Sequence, residues 1–384
     1  LRELDDQTAE AKFIVDEVNR QVAKGTRQFR DFAVLYRTNA QSNALERAFA
    51  RSAVPYRMLG GVRFSDRKEI RDLVAYLQLI NNHSDRERLL RIINEPRRKI
   101  GERTLEAVEA IAMEQNLSLF EVLSQASSYV ALSRSAVTLM SFTRMIEEIA
   151  YLAKSMELPA VIDLVLERTG YRQMIIDAGK EEADRLDNLE EFKSSVVEYC
   201  RIAEEPTLTG FLEENALVAD VDRYDDTADA VVMMTIHSAK GLEFPVVFLP
   251  GMEDGIFPGM QNIVGSSEDM EEERRLAYVA LTRAKEQIYI FHTATRLLYG
   301  QTQHNPLSRF VSEIPEKLIE KKGYESYYTP PTQATRVYYQ DPTYSTKQPA
   351  YKSEPISIGK PYNTPRKSAS GELFCAGDRV RHMT

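Results

Sequence analysis

Three stretches of the chain gather residue types that can handle an anionic ligand. In VVMMTIHSAKGLEFPVVFLPGMEDGIFP, from Val231 to Pro258, two apolar runs flank a polar turn carrying Thr235, His237, Ser238, Lys240, Gly241 and Glu243. Hydroxyl donors, a cation and a carboxylate therefore fall together, and the pattern places them at the carboxyl edge of a sheet, where open α/β folds bind ligands. Any one of these residues alone reads equally well as a helix cap or a surface ion pair; their density is what points to a site. In EEERRLAYVALTRAKE, a helix with Leu276, Val279 and Ala280 inward presents Arg275 and Arg283 elsewhere, either for a phosphate or for pairing with Glu271 to Glu273 on a solvated face. In VLYRTNAQSNALE, a strand ends on Tyr36 and Arg37 and a helix starts through Asn39 or Ser42. That aromatic and that guanidinium suit base stacking and phosphate contact, and suit ordinary packing as well.

The elements that must hold these residues follow from the hydrophobic periods. Helix TAEAKFIVDEVNRQV, strand DFAVLY, helix SNALERAFARS, strand VPYRMLGG and helix DRKEIRDLVAYLQLI alternate up to residue 80. In the last of these, Asp66 and Glu69 form a cap-like pair and Ile70, Leu73, Leu77 and Ile80 share a face. Alternation resumes in AVVMMTIHSAKG, FPVVFLPG, EEERRLAYVALTRAKE and QIYIFH, which implies a parallel sheet. Between about residues 82 and 224 strand signals nearly vanish. Helical periods take over, with a capping box at Ser118 to Glu121 and the Gly-terminated AVIDLVLERTG, and a block far longer than a normal crossover reads as an insertion. The expected class is α/β: a parallel-sheet domain from residues 1–90 and 225–314, interrupted by an all-helical domain at 91–224 whose start falls between 82 and 130. TATRLLYGQTQHNPLSRF reads as a hairpin tipped by Tyr299 and Gly300. Half of the 16 prolines and 8 of the 19 tyrosines lie between Pro315 and Pro365, so 315–370 reads as a disordered linker, and 371–384 begins a small β module at ELFCAGDRVRH.

Composition narrows the classes further. With 384 residues, 43% hydrophobic and 28% charged, the chain reads as a soluble protein of two or three units, and no apolar run reaches the ~18 residues of a membrane span. No signal-peptide pattern opens it, which points to the cytoplasm, and a start at Leu1 suits a piece of something longer. Cys200 and Cys375 and five scattered histidines give no zinc spacing. A net charge of -9 argues against indiscriminate coating of nucleic acid and leaves room for a local basic groove. One such cluster is Arg97, Arg98, Lys99 and Arg103 beside Gly101 at a helix start, a phosphate site or a solvated turn.

YRTNAQS, TIHSAKGLEF with GMEDGIFP, and EEERRLAYVALTRA resemble three consecutive motifs of the UvrD, Rep and PcrA group of superfamily-one DNA helicases, from about residue 8 to Pro315. The resemblance implies the second of two RecA-like domains that clamp ATP and Mg²⁺ in a 3′-to-5′ DNA helicase of bacterial cytoplasm, active in repair or replication. It implies that Tyr36 stacks on adenine, that Arg37 and Arg283 reach the γ-phosphate, and that Glu243 bonds the ribose. Thr235 and His237 would face single-stranded DNA, and Tyr299 would meet the first base pair at a single-to-double-strand junction. Two departures are visible: Ala280 replaces a usual Gly, and Lys99 stands where the family's phrase has Gly beside duplex DNA. ELFCAGDRVRH resembles the start of a Tudor-like module that contacts RNA polymerase in some members.

No GxxxxGK[ST] phosphate cradle occurs, because neither Gly179-Lys180 nor Gly359-Lys360 has the required neighbours. The Mg²⁺ ligands and the P-loop are therefore expected on an amino-terminal RecA-like domain outside this chain, which alone should be inactive. A noncatalytic adaptor with a helicase-like domain is the competing expectation; Arg37, Glu243 and Arg283 favour the motor.

Overall fold

Parallel strands separated by helices need apolar residues on both faces, and FAVLY and VVMMT supply them in unbroken runs. The computed structural model describes residues 1–179, 182–221, 229–298 and 300–322, and the strands Arg366–Lys367 and Leu373–Phe374. The chain divides into two units, Leu1–Pro330 and Pro331–Thr384.

In the first unit, β1 (Arg2–Leu4), β2 (Phe32–Tyr36), β3 (Tyr56–Met58), β4 (Val231–Thr235), β5 (Phe244–Leu249) and β6 (Ala284–Thr293) form one sheet in the order β1-β6-β5-β2-β4-β3. Every pairing in it is parallel. Alternation along β2 sorts its side chains: Phe32, Val34 and Tyr36 enter one buried cluster, with Phe13, Ile14 and Val18 of α1 (Gln7–Ala23) and Leu45 and Phe49 of α2 (Ser42–Arg51). Ala33 and Leu35 enter the other, with Ala277 and Ala280 of a later helix. Helix α1 starts where the Asp6 carboxylate accepts from the Thr8 and Ala9 amides, both at 2.9 Å.

Between β3 and β4 the described residues hold only helices. They are α3 (Lys68–Asn81), α4 (Arg86–Ile92), α5 (Glu102–Gln115), α6 (Leu119–Ser124), α7 (Ala136–Ala153), α8 (Leu158–Arg168), α9 (Tyr171–Ala178), α10 (Ala183–Ile202) and α11 (Leu208–Val221), with short 3₁₀ turns. They share a hydrophobic cluster distinct from the two that flank the sheet, containing Leu77, Ile92, Leu139, Ile146, Val165 and Phe192. The Ser118–Glu121 capping box forms as expected. The Asp66–Glu69 cap pair does not: Asp66 takes the Arg63 guanidinium at 2.8 Å, and the buried Glu69 accepts from Asn188 at 2.6 Å, which outcompetes a helix-end amide.

After β5 come α12 (Met260–Val264) and α13 (Ser267–Leu281), the latter started by a Ser266–Asp269 capping box. Strands β7 (Arg296–Leu298) and β8 (Gln301–Gln303) pair antiparallel as the expected hairpin, and α14 (Arg309–Ser312) follows. Gly300 has φ +72°, the left-handed backbone that a tight turn asks of glycine. Tyr299 lies outside the described residues. In the second unit, β9 (Arg366–Lys367) pairs antiparallel with β10 (Leu373–Phe374). The start of the expected disordered linker is instead ordered within the first unit, with a 3₁₀ turn at Glu316–Leu318 and Ile319 packed on a core cluster; the rest of the Pro/Tyr-rich stretch and of ELFCAGDRVRH lies outside the described residues.

Candidate functional site

The register of β2 on β4 sets Tyr36 opposite Thr235, and the Ile236 amide donates to the Tyr36 carbonyl at 2.9 Å. Arg37 follows at once, so Arg37, Thr235 and His237 meet at the carboxyl edge. Arg37 donates from Nε to both oxygens of Glu273 on α13, at 2.9 and 3.1 Å, and from Nη2 to Oε1 at 2.6 Å. The Glu273 side chain is 4% exposed and that of Arg37 is 24% exposed, so the guanidinium keeps an accessible edge while its partner is sealed in. Partial burial, then the Arg37 charge, hold the His237 imidazole below its usual range, against Glu273 and Glu272. The Thr235 hydroxyl lies 3.0 Å from that of Ser238 and accepts from the Ser238 amide at 3.3 Å, which fixes the turn.

Gln41 braces the Arg37 loop. Its Oε1 accepts from the amides of Arg37 and Thr38, both at 2.9 Å, and its Nε2 reaches the Pro250 carbonyl at 3.5 Å. Gly251 (φ +70°) must stay small, because a Cβ there would lie 2.4 Å from Gln41 Nε2. Beside this loop is a cavity of about 510 Å³ whose walls include Arg37, Gln41, Asp184, Glu191 and Arg296. Burial pushes the Glu191 carboxyl up to about 8, against the Asn43 amide, which donates to it at 3.2 Å, and against the Arg296 charge.

Arg296 is the centre of a buried ion triad. It donates from Nη2 to both oxygens of Glu10 at 3.0 Å and, from Nε and Nη2, to Glu253 at 2.7 to 3.2 Å. The three residues are 5%, 2% and 0% exposed. The Gly251 amide also donates to Glu10 at 2.9 Å, and Thr293 donates to Glu253 through its amide and hydroxyl. Burial raises the Glu10 carboxyl, whereas for Glu253 the opposing Arg296 and Thr293 contacts outweigh burial and hold it low.

Three expectations meet corrections. The polar turn does not sit wholly at the carboxyl edge: β4 and β5 are parallel, so the chain must return to the amino edge, and Glu243 stands there next to Arg283, just before β5 and β6. Eight residues of register separate Glu243 from Gly251, the β5-side neighbour of Arg37, or roughly 25 Å at ~3.3 Å per residue. Arg283 is folded back: Nε donates to the Val279 carbonyl and Nη1 to that of Leu242, both at 3.0 Å, and Nη2 to the Thr282 hydroxyl at 2.9 Å. Glu243 is exposed, and Lys285 lies 4.0 Å from it. The structure thus brings together Arg37, Thr235 and His237, and not Arg283 or Glu243 with them. Second, the Tyr36 ring is 1% exposed inside the core, where burial raises its hydroxyl's pKa, so it presents no face to a base. Third, Arg98 is a staple: it donates to the carbonyls of Ile92, Ile93 and Pro96 and to the Tyr76 hydroxyl, with its guanidinium 5.1 Å above the Phe142 ring.

The remaining cluster residues Arg97, Lys99 and Arg103 are exposed around Gly101, the N-cap of α5. Lys99 adopts φ +59°, the backbone a glycine would take there, while Asn94 bonds both the amide and the carbonyl of Ile100 to hold the loop.

The UvrD-like helicase C-terminal domain family matches residues 1–295 of the chain. The ATP-dependent DNA helicase PcrA of Staphylococcus epidermidis (strain ATCC 35984) is 41% identical over 378 residues, which cover 97% of this chain and 49% of that protein. PcrA of Staphylococcus aureus (strain Mu50) is 42% identical over 316 residues, 81% of this chain and 43% of that protein. The chain spans about half the length of the curated relatives it matches.

Proposed function

The chain belongs to the UvrD-like helicase C-terminal domain family, and from that premise we propose that it is the carboxyl-terminal portion of an ATP-dependent DNA helicase. It supplies the second RecA-like domain, with the block at 91–224 as a helical insertion domain, moves 3′ to 5′ on single-stranded DNA, and serves DNA repair or replication. The observation that carries this is the Arg37–Glu273 pair beside Thr235 and His237: a partly exposed guanidinium at the sheet edge, on a buried carboxylate, next to a turn of donors.

The donor set fits half of an ATP site. It offers the Arg37 guanidinium for phosphate oxygens. When bound, ATP supplies the phosphoryl group that is transferred to water; its cradle and the Mg²⁺ ligands belong to a first RecA-like domain. Arg37 exchanges Glu273 for the γ-phosphoryl oxygens, and an arginine so delivered contributes about 10³ to 10⁵ in rate. Its departure takes a positive charge from beside His237, which links nucleotide state to the grip of Thr235 and His237 on DNA. Arg283 and Glu243 stand at the opposite edge of the same sheet, so they do not meet the phosphate that Arg37 contacts and carry none of the proposal. Stacking of Tyr36 on adenine requires its ring to leave the core, so Arg37 carries the proposal and Tyr36 does not.

The test is hydrolysis. The 384-residue chain alone should show no DNA-stimulated ATP turnover. In the polypeptide extended to its relatives' full length, Arg37→Ala should abolish turnover while leaving nucleotide binding within a few-fold. Steady turnover by the purified chain, or parental turnover in the variant, contradicts the assignment.

A further inference from the structure

A second cavity, of about 610 Å³, opens between α3, α4 and α11 and is lined by Arg63, Arg71, Gln78, Arg88, Arg91 and Asn215 among others. Its wall residue Arg63 follows a segment packed against the Thr235–Ser238 turn. The Leu59 amide donates to the Met233 carbonyl at 2.9 Å, and Gly60 lies so close to Ser238 that an added Cβ would sit 2.8 Å from its hydroxyl, three residues before Arg63. Helix α4, which lines it, ends at Ile92, shortly before the exposed Arg97 and Lys99 in the chain.

Its polar groups are held in place yet incompletely used. Arg91 is anchored by Asp72, 2.7 Å away and 2% exposed. Arg63 and Arg88 pair with Asp66 and Glu87, whose side chains are 46% and 80% exposed, so water screens these pairs and an incoming anion competes with them readily. Arg71 is exposed and makes no side-chain hydrogen bond or ion pair among the described residues. Six buried side-chain polar atoms lack a partner among the described residues, and three of them, Gln78 Oε1, Arg88 Nε and Arg91 Nε, belong to residues of this one cavity. Buried polar atoms are nearly always partnered, so their concentration here marks a place where a polar group from outside completes the structure. The Nε–H of Arg88 and of Arg91 is thus left to donate to a phosphate oxygen, while Nη2 of Arg91 stays on Asp72.

We propose that this cavity binds the sugar–phosphate backbone of single-stranded DNA running on from the Thr235–Ser238 turn, with Arg71 and Arg88 on successive phosphates and Arg91 as the fixed post between them. This rests on the DNA-binding part of the proposed function and adds a phosphate site that joins the sheet-edge turn to the Arg97–Lys99 loop.

The experiment titrates the 384-residue chain with a fluorescein-labelled oligothymidylate, by anisotropy over a range of salt. Arg71→Gln/Arg88→Gln should bind about tenfold more weakly at low salt, and the slope of log affinity against log salt should shrink by roughly 1.4, or ~0.7 per lost phosphate contact. Arg134→Gln/Arg168→Gln removes the same charge from exposed positions outside the cavity and should keep the parental slope. The single variant Arg71→Glu, at an exposed position, should show the loss without disturbing the fold. If the cavity variants match the control pair, the cavity proposal falls while DNA binding stands. If the parent chain does not bind the oligonucleotide at all, both fall together.

Discussion

Replacing Arg296 by Ala should be among the most damaging single changes in the chain. The substitution removes one guanidinium from two carboxylates that are 2% and 0% exposed. Glu253 keeps the Thr293 amide and hydroxyl, but Glu10 keeps only the Gly251 amide. Breaking a buried pair from one side costs about 3–5 kcal/mol. At ~2 °C per kcal/mol, the low end of the usual range and fitting for a chain this long, the melting temperature should fall by roughly 6–10 °C. The loss should also depend on pH. Burial already raises the Glu10 carboxyl and Arg296 is the strongest force against that rise, so in the variant Glu10 sits further above the unfolded value near 4.5, and Glu253 loses the main contact that holds it low. A folded-state pKa above the unfolded one contributes stability at low pH that fades as pH climbs through the folded value. The deficit should therefore be smaller at pH 5 than at pH 8. Urea unfolding of parent and variant at both values measures it. A loss under ~1 kcal/mol, or one equal at both pH values, refutes the claim that Arg296 holds two buried carboxylates together.

Two further outcomes follow from the same chemistry. Glu191, pushed up to about 8 against an unfolded value of 4.5, costs the parent stability as pH rises between those limits. Glu191→Gln should flatten that decline, by at most about 1.4 kcal/mol per pH unit, in melts run from pH 5 to pH 9; an unchanged pH slope counts against a protonated Glu191. Lys99→Gly relieves a left-handed backbone at φ +59° and should raise stability by about 0.5–1 kcal/mol, read as a higher urea midpoint, whereas a lower midpoint would mean that the lysine side chain contributes more than its backbone costs.

Long periods made most of the fold legible. Helix α13 and strands β2, β4 and β5 lie where apolar spacing puts them, because strands buried on both faces leave unbroken apolar runs. Strand β1 was invisible: three residues with only Leu4 fully covered carry no period, and pairing with β6 creates the element. The site was legible by residue type and poorly by partner. Glu273 reads as one more glutamate on a solvated helix, yet it stands four and seven residues before Ala277 and Ala280, on the buried stripe, and that spacing was the available signal for its role under Arg37. Arg98 could not be told from Arg97 by sequence, because what distinguishes them is a ring of carbonyls assembled from residues 92 to 96.

The place of the helices between β3 and β4 has a kinetic consequence. Ala33 pairs with Val232, so the centre of the sheet closes a loop of roughly 200 residues, whereas α3 to α11 pack within one continuous stretch of chain. Contacts near in sequence form first, and those spanning such a loop come late. During synthesis the helical block can collapse while β2 and β3 wait, unpaired, for β4 to leave the ribosome. The Ala33–Leu35 face of β2, whose buried partners all come from β4 onwards, stays exposed for that interval, which makes this strand the point where a chaperone would engage the nascent chain, and where slow folding would turn into aggregation.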